Sequence, residues 1–443
     1  MPEIEYLGQY KKMWYYYIKE KNMAFKRVEG RIDINYEIEN RNIVVNEEEQ
    51  RGTRTNKFWF NNYEYMYKDV YQLTYEDYAE IIAYKLAEQV GINCAKYDLA
   101  IFNGNKGVIT ENLIKDNENE EMISGTEIIS MVYTEYFIPR LYIIEKYHEL
   151  ITQYNAKNIY EFSNLSNDKQ LELRNKLLSL IEEVTNKKIE YSNNKINYPE
   201  IEEIYEYFDN ISESYNPDFI EMKNGIIKAN NLYDIWNVLE IYAKINNLDY
   251  NIEDIMNNLI NMFIFDIITS QGDRHADNWS IIKNNKDNSI RLCPLYDNSG
   301  ICDLNREKGM KSILEYIQSL NNPTLHEKKK QKIQKLLETT INHSNSGLKV
   351  DKTDVNKKNK NIIMMEKFID FSSQEFIERI IYMTKKLDKE TLDFIFLEIE
   401  KEIQAKIPEE VKIVVKTVIN TNIEMIREIY SEKGNTKWER MIY

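Results

Sequence analysis

Ten residues, SQGDRHADNW (270–279), put Asp273, Arg274, His275, Asp277 and Asn278 directly behind the very apolar stretch NNLINMFIFDIITS. Polar groups this dense at the end of an apolar segment are costly to bury unless something pairs with them. Carboxylate and side-chain amide oxygens are hard ligands that suit Mg²⁺, which takes one or two such groups and completes its shell with substrate phosphates. Asn278 supplies an amide oxygen, and Asp297 a carboxylate 19 residues later. Between them lie two strand-like runs, WSIIK (279–283) and SIRLC (289–293), joined by the turn NNKDN. A hairpin there folds the chain back, so Asn278 and Asp297 can lie side by side. Asp273 is then left to orient and deprotonate an attacking hydroxyl, the part an aspartate plays in phosphoryl transfer. His275 reads as a loop residue that hydrogen-bonds locally and fixes the aspartate, ahead of a base in its own right. The plain alternative is a polar loop capped by Asp and Asn, followed by an ordinary turn at Asp297–Gly300. The aspartate placed behind a hairpin is what favours chemistry.

A phosphate site also needs a cation, and a group to hold that cation. Lys68 ends a strand-like run in YMYKDV, and Glu80 lies on the following helical segment DYAEIIAYKLAE. A strand lysine paired with a helix glutamate steadies nucleotide phosphates in kinases. Glu76, one helical turn earlier, is the rival partner. The loop RGTRTNK (51–57) precedes the first hairpin strand and is the one placed to cover phosphates. Its single glycine, Gly52, makes it a poor glycine-rich loop, but backbone N–H groups with Arg54 and Lys57 could form a cationic nest. The bland readings are a solvated strand end, a helix surface charge and a solvated basic loop.

With these residues in view, GDRHADNWSII…LCPLYDNSG resembles the catalytic core of HipA-like kinases, including the smaller CtkA-like members. The resemblance runs over about Arg51–Ile301 through GTRTNKFWF, YMYKDV, YAEIIAYKLAEQVGI, YDLAIF and LYDNSG, with divergent helices between. It is specific in the D-R-H-x-x-N core with its following aspartate and softer before it. It implies an α+β, two-lobed protein-kinase-like fold with a β-rich N-lobe and a helical C-lobe, and use of ATP with Mg²⁺. Residue by residue, it implies Lys68 as the phosphate-binding lysine and Gly52 to Lys57 as the phosphate loop. Asp273 becomes the catalytic aspartate, and Asn278 and Asp297 the metal ligands. The chain near Glu111–Leu113 falls where the lobe hinge meets adenine through backbone groups. The implied activity is phosphorylation of protein Ser or Thr, often including the kinase's own loop. Some members are toxins held by an antitoxin partner, and others are secreted effectors. The segment Ser299–Lys311 takes the activation-segment position. Ser299 and Ser312 are its candidate phosphorylated hydroxyls, with Arg306, Lys308 and Lys311 as the cations that would meet a phosphate; the plain reading is a turn residue and a helix cap.

The elements that must position these groups follow from patterning. Residues 1–115 are rich in strand signals. AFKRVEGRIDINYEI (24–38) alternates loosely, KFWFNNYEYMYK (57–68) reads as a hairpin with Asn61-Asn62 as a two-residue turn, and 96–114 as a hairpin around Asn103–Gly107. Residues 74–92 have helical spacing with Gly91 as a stop. Residues 116–325 are mainly helical, with helices expected over 124–155, 169–186, 232–246 and 252–269. Residues 326–443 form a charged helical extension that matches nothing in the resemblance, and 342–361 reads as a flexible loop within it.

Composition narrows the classes. The 443-residue chain has 42% hydrophobic and 30% charged residues, room for two or three domains, and the Asn-, Lys-, Ile- and Tyr-rich usage of an AT-rich, bacterial genome. Its net charge of −15 argues against nucleic-acid binding. The basic run HEKKKQKIQK (326–335) reads as a solvated helix face. Three cysteines without a CxxC pair argue against a disulfide framework or structural zinc and suit a reducing cytoplasm. No signal peptide and no apolar run long enough to span a membrane is visible. Phosphatidylinositol kinases share a D-R-H-x-x-N loop and a later metal aspartate, so a lipid kinase is the first alternative; the lack of a basic amphipathic helix lowers it. Aminoglycoside-type kinases place His before Asp, the reverse of the order here. A calcineurin-like phosphatase needs more histidines than His148, His326 and His343 supply. A pseudokinase-like binding protein is the alternative of another class, opposed by intact Lys68, Asp273, Asn278 and Asp297.

Overall fold

Tyr67 and Lys68 adjoin on one strand, so the pleat sends them to opposite faces, and the sheet that results has an aromatic side and a chemical side. The computed structural model describes residues 25–41, 45–46, 56–154, 164–185, 221–223, 226–228, 232–250, 252–320 and 374–432. Seven strands form one sheet: β1 (Arg27–Val28), β2 (Arg31–Asp33), β3 (Val45–Asn46), β4 (Lys57–Phe60), β5 (Tyr65–Asp69), β6 (Tyr97–Phe102) and β7 (Asn105–Glu111). Their order is β1-β2-β6-β7-β5-β4-β3, antiparallel except for β2 beside β6. On one face Ile32, Ile34, Phe60, Tyr67, Ala100 and Ile109 make a small core, edged by Phe58, Tyr65 and Phe102. Gly107 is required there, because a Cβ would fall 2.5 Å from the Tyr67 ring. The opposite face carries Lys68, Tyr97, Leu99 and Val108, with Lys68 opposite Val108 and Lys57 opposite Lys68 in register.

Helix α2 (Glu76–Gln89) covers that second face; α1 (Ile34–Arg41) precedes β3. Ala79, Ile81, Ile82, Ala83, Leu86 and Ala87 of α2 are all buried. Burial this complete exceeds a single apolar stripe because α2 has the sheet on one side and the C-terminal helices on another. Gly91, at φ +74°, ends the turn that follows α2, as the sequence suggests. Two expectations need correction. Residues 24–38 do not stay extended: the chain turns into α1 at Ile34, where Ile34 enters the core and Glu37 accepts from the Lys26 backbone N–H at 2.6 Å. The β4–β5 connection is a four-residue turn, 61–64, with Asn61, Asn62 and Tyr63 all at positive φ, because strand register places Phe60 opposite Tyr65. The β6–β7 turn is the tight one, with Asn103 and Gly104 both at positive φ.

A second, four-stranded sheet carries the expected 279–293 hairpin as β12 (Ser280–Asn284) and β13 (Ser289–Leu292). β8 (Glu120–Ser124) joins it antiparallel to β12, and β11 (Asp249–Tyr250) parallel to β13; neither was signalled by patterning. A further hairpin pairs β9 (Glu221–Lys223) with β10 (Ile226–Lys228). The remaining helices are α3 (Gly125–Val132), α4 (Ile138–Gln153), α5 (Asn167–Thr185), α6 (Leu232–Ile245), α7 (Ile252–Ile268), α8 (Glu307–Leu320), α9 (Gln374–Lys386), α10 (Lys389–Ile403) and α11 (Glu409–Glu432). Ser124 starts α3 through a capping box with Glu127. A π-helical turn, Tyr133–Phe137, interrupts the single helix expected over 124–155.

One core joins α2, α3, α6, α7 and α9–α11. In α7 Leu259, Ile260, Met262, Phe263, Ile264, Phe265, Ile267 and Ile268 are buried; each such side chain contributes about 1.5–3 kcal/mol. α10 packs against α2, with Lys85 Nζ 2.6 Å from Glu402, and the hydroxyl of Tyr75, just before α2, donates to Glu410 of α11 at 2.7 Å. Among the described residues no helix is long and apolar enough to cross a membrane, and Cys94, Cys293 and Cys302 are free thiols. The basic run 326–335 and the loop 342–361 lie outside the described residues.

Candidate active site

The end of α7 determines how the polar decapeptide begins. Ser270 takes a left-handed conformation, φ +52°. The Ser270 N–H returns to Ile267 O (3.2 Å) and the Gln271 N–H to Asp266 O (2.8 Å). This pair of backbone bonds closes a helix with a Schellman turn. Gln271 then reaches two ways: its Oε1 accepts from the Asp273 N–H at 3.3 Å, and its Nε2 donates to Asp297 O at 3.4 Å. Gly300 lies against the same spot, where a Cβ would meet Gln271 Oε1 at 2.2 Å and Asp273 Cβ at 3.3 Å. The loop bearing Asp297 is therefore laid directly against Asp273.

Arg274 ties the two loops together from inside. Its side chain is fully buried and forms a fork with Asp266, Nε to Oδ2 and Nη2 to Oδ1, both 3.0 Å. Its remaining donors reach Asn278 O (2.9 Å), Tyr296 O (2.9 Å) and Asn298 Oδ1 (2.7 Å). Burial pushes the Asp266 carboxyl up, opposed by the pull of the guanidinium beside it. Five satisfied donors make Arg274 the node that fixes both loops.

Asn278 donates Nδ2 to Asp273 O at 2.7 Å, which leaves its Oδ1 as the atom it can offer a cation. Asp273 keeps about half its side chain exposed. His275 accepts the Asp277 N–H on Nδ1 (3.3 Å) and so begins the 3₁₀ turn Ala276–Asn278. Its Nε2 is 3.8 Å from Asp273 Oδ1, an ion-pair distance beyond a hydrogen bond. His275 thus shapes the loop and stands beside the aspartate.

Lys68 comes from the sheet to meet this assembly. Its Nζ is 2.6 Å from Asp297 Oδ1 and 3.7 Å from Glu80 Oε1. Glu80 Oε2 accepts the Asn298 N–H at 2.8 Å, so α2 is bonded to the Asp297 loop as well as to the lysine. The rival Glu76 accepts instead from the Tyr71 N–H at the start of its own helix (3.3 Å). Asp297 holds φ +51°, a strained value for a residue other than glycine, and its N–H reaches the Tyr97 hydroxyl at 3.3 Å.

Burial raises the Glu80 carboxyl to about 8 from its usual 4.5, the Lys68 ammonium opposing and the Asp297 carboxylate reinforcing the rise. Between those values the folded protein holds a proton that the unfolded chain has released. Stability from this group is therefore fully present below about pH 4.5 and is lost as pH rises through about 8. The melting temperature is expected to fall from about pH 5 to about pH 8, and Glu80→Gln to remove that part of the slope. An unchanged slope in Glu80→Gln, read by thermal melts at fixed salt, would assign the proton elsewhere.

A cleft of about 550 Å³ opens beside Tyr97, within the range of small-molecule sites. Lys57, Trp59, Met66, Thr110 and Tyr296 line it, together with 111–114 at the exit of β7. Of the residues proposed from sequence, Lys57, Glu111 and Leu113 thus share this cleft. Lys68, Glu80, Asp273, Asn278 and Asp297 share the bonded cluster next to it, reached through Tyr97. Gly52 and Arg54 lie outside the described residues. Ser299 is buried, with its hydroxyl 3.4 Å from Asp297 Oδ1, and Ser312 donates to Lys308 O within α8 at 2.9 Å. Ser299 follows the plain reading as a turn residue, whereas Ser312 is not the expected helix cap but an interior residue of α8 bonded one turn back.

Sequence reasoning missed Arg274 as a structural node, although an acid inside the apolar helix eight residues before an arginine is a legible sign of a buried pair. Gln271, Asn298, Tyr97 and Tyr296 gave no such sign. Together the cluster offers a cation for phosphate, two oxygen ligands of the kind Mg²⁺ takes, and an exposed carboxylate able to accept a proton.

No protein-family model and no curated protein sequence matches the chain. Among solved structures it is similar to the Helicobacter pylori proinflammatory kinase CtkA, at 13% identity over 88% of this chain and 96% of that one, with a TM-score of 0.49. It is also similar to a chain of the Shewanella oneidensis MR-1 toxin–antitoxin complex of HipA, HipB and its operator DNA, at 10% identity over 90% and 72% of the two chains, with a TM-score of 0.41.

Proposed function

We propose that this chain is a Mg²⁺- and ATP-dependent protein kinase that phosphorylates Ser or Thr hydroxyls, its own among them. The observation that carries the reading is Lys68, a buried ammonium between Glu80 and Asp297 and bonded at 2.6 Å to the latter. A buried lysine of this kind has little structural purpose, since apolar packing would serve as well; bonded to Asp297, whose N–H meets the Tyr97 hydroxyl at the wall of the cleft, it is a phosphate-binding cation held ready. In this reading the sheet with α2 forms an N-lobe over about 1–115, residues 116–325 form the C-lobe, and 326–443 are an extension. The cleft between Tyr97 and 111–114 takes the adenosine, with Glu111 and Leu113 offering backbone groups to the base.

Asn278 and Asp297 fit a Mg²⁺ ion. One has its amide nitrogen committed and its oxygen spare, and the other is a carboxylate already beside a cation. The ion would neutralise charge on the β- and γ-phosphates. Asp273 accepts the proton of the attacking hydroxyl as its oxygen bonds to the γ-phosphorus. The bond from that phosphorus to the β–γ bridging oxygen breaks, ADP leaves with the electron pair, and the product is a phosphoester. Lys68 meets the phosphates, and Glu80 keeps it in place.

The biological setting follows as part of the same proposal: a HipA-like toxin or effector kinase, with an antitoxin or regulatory partner. The test is incubation of the purified protein with Mg²⁺ and ATP, followed by mass spectrometry for phosphate on the chain and on added protein. ATP turnover with phosphate on serine or threonine supports the reading. Phosphate delivered to phosphoinositide but to no protein would favour a lipid kinase, and no turnover a pseudokinase. Asp297→Ala is expected to weaken Mg-ATP binding at least about tenfold, the loss of one charged ligand-sized interaction, and to stop transfer. Titration calorimetry with and without Mg²⁺ checks it, since a role as metal ligand confines the loss to the Mg²⁺ arm.

A further inference from the structure

The Ser270 turn that launches the decapeptide is not held by its own backbone alone. Asn422, in the middle of α11, is buried and donates Nδ2 to Ile268 O (2.9 Å), Ile267 O (3.2 Å) and Ser270 Oγ (2.8 Å). The last carbonyls of a helix have no partner within it and need one from outside. Here Ile268 O receives it from a side chain more than 150 residues away, and Ile267 O, which already holds the Ser270 N–H, gains a second donor from the same amide. Serine is also an awkward residue for the left-handed position that closes a helix, where glycine is usual, and Asn422 grips its hydroxyl. Gln271 follows directly and holds both the Asp273 N–H and the Asp297 carbonyl. At its other end α11 presents Glu410 to Tyr75, whose N–H donates to Leu304 O (3.0 Å) beyond the Asp297 loop.

We infer that Asn422 is a positioning residue for phosphoryl transfer: it fixes the Ser270–Gln271 turn and, through Gln271, the placement of Asp273 against Asp297. The inference rests on the kinase reading of Asp273, and it gives the C-terminal extension a role in the chemistry. Misplacing a reacting group by about 1 Å can cost about 100-fold.

The test compares the full chain with Asn422→Leu, which keeps volume and removes the donor, and with Asn422→Leu/Ser270→Gly, in which glycine adopts the left-handed turn without help. Asn422→Leu is expected to lower kcat about 10- to 100-fold with KM for ATP within about twofold, and to raise hydrogen exchange of the 270–275 amides. Adding Ser270→Gly is expected to recover most of kcat and of the protection. Wild-type kcat and protection in Asn422→Leu would overturn the inference. So would a kcat loss that tracks the folded fraction and is untouched by Ser270→Gly, because that is a purely structural role. Should Asn422→Leu not fold, Ser270→Ala, which deletes one of the three acceptors, gives the same two readouts, and wild-type values in it overturn the inference equally. The exchange arm reads the turn whether or not phosphate is transferred, so an inactive wild type counts against the kinase reading alone.

Discussion

Asp273→Ala is expected to reduce phosphoryl transfer by about 10²- to 10⁴-fold, the usual worth of a positioned general base, while Mg-ATP binds within about twofold of wild type. The split follows from what Asp273 touches. Its backbone N–H and carbonyl serve the architecture, through Gln271 and Asn278. Its carboxylate is half exposed and bonded to neither of them, so alanine keeps both backbone bonds and removes only the group proposed to accept the hydroxyl proton. Single-turnover transfer and equilibrium nucleotide titration on the same preparation check the two halves. Equal losses of transfer and of ATP affinity would show that Asp273 serves the nucleotide and not the incoming hydroxyl.

Arg274→Leu is expected to cost about 3–5 kcal/mol of stability, the range for breaking a buried ion pair by removing one partner. It leaves Asp266 as a buried carboxylate without a cation and strips donors from Asn278 O, Tyr296 O and Asn298 Oδ1. Where a buried pair serves itself alone, replacing both members by apolar residues restores stability. Here the double variant Asp266→Leu/Arg274→Leu is expected to recover only part of the loss, because the three oxygens on the two loops stay unpaired. Chemical denaturation of the single and double variants decides this. Full recovery in the double variant would reduce Arg274 to the partner of Asp266 and deny it the role of node.

What was legible in the sequence tracks how local each cause is. The hairpin between Asn278 and Asp297 announces itself by two β-branched runs around a polar turn, and α7 by an apolar helical run longer than a strand. The Lys68–Glu80 pairing was readable as a strand lysine before a helix glutamate, but the choice between Glu80 and Glu76 was not. It depends on the Tyr71 N–H capturing Glu76, a detail of the loop path. The mistakes have the same origin. Residues 24–38 alternate well enough for a strand, yet Ile34 and Glu37 find tertiary partners that favour a helix. β8 and β11 are short and polar and exist because β12 and β13 present edges to them. Asn422 could not have been found at all, since nothing about an asparagine in an amphipathic helix says which carbonyls it will meet.

The order in which the ribosome makes this chain adds a consequence to the contact between α11 and the end of α7. Every group proposed to touch nucleotide or hydroxyl has been synthesised by Asp297, but the side chain that completes the Ser270 turn follows more than a hundred residues later. A nascent or prematurely terminated chain would carry the whole set of reactive residues with the turn before Asp273 unclamped. In the kinase reading, full activity waits until α11 has been made, and chains truncated before Asn422 are expected to transfer phosphate at least about 10- to 100-fold more slowly than the full chain, even where they fold enough to bind nucleotide.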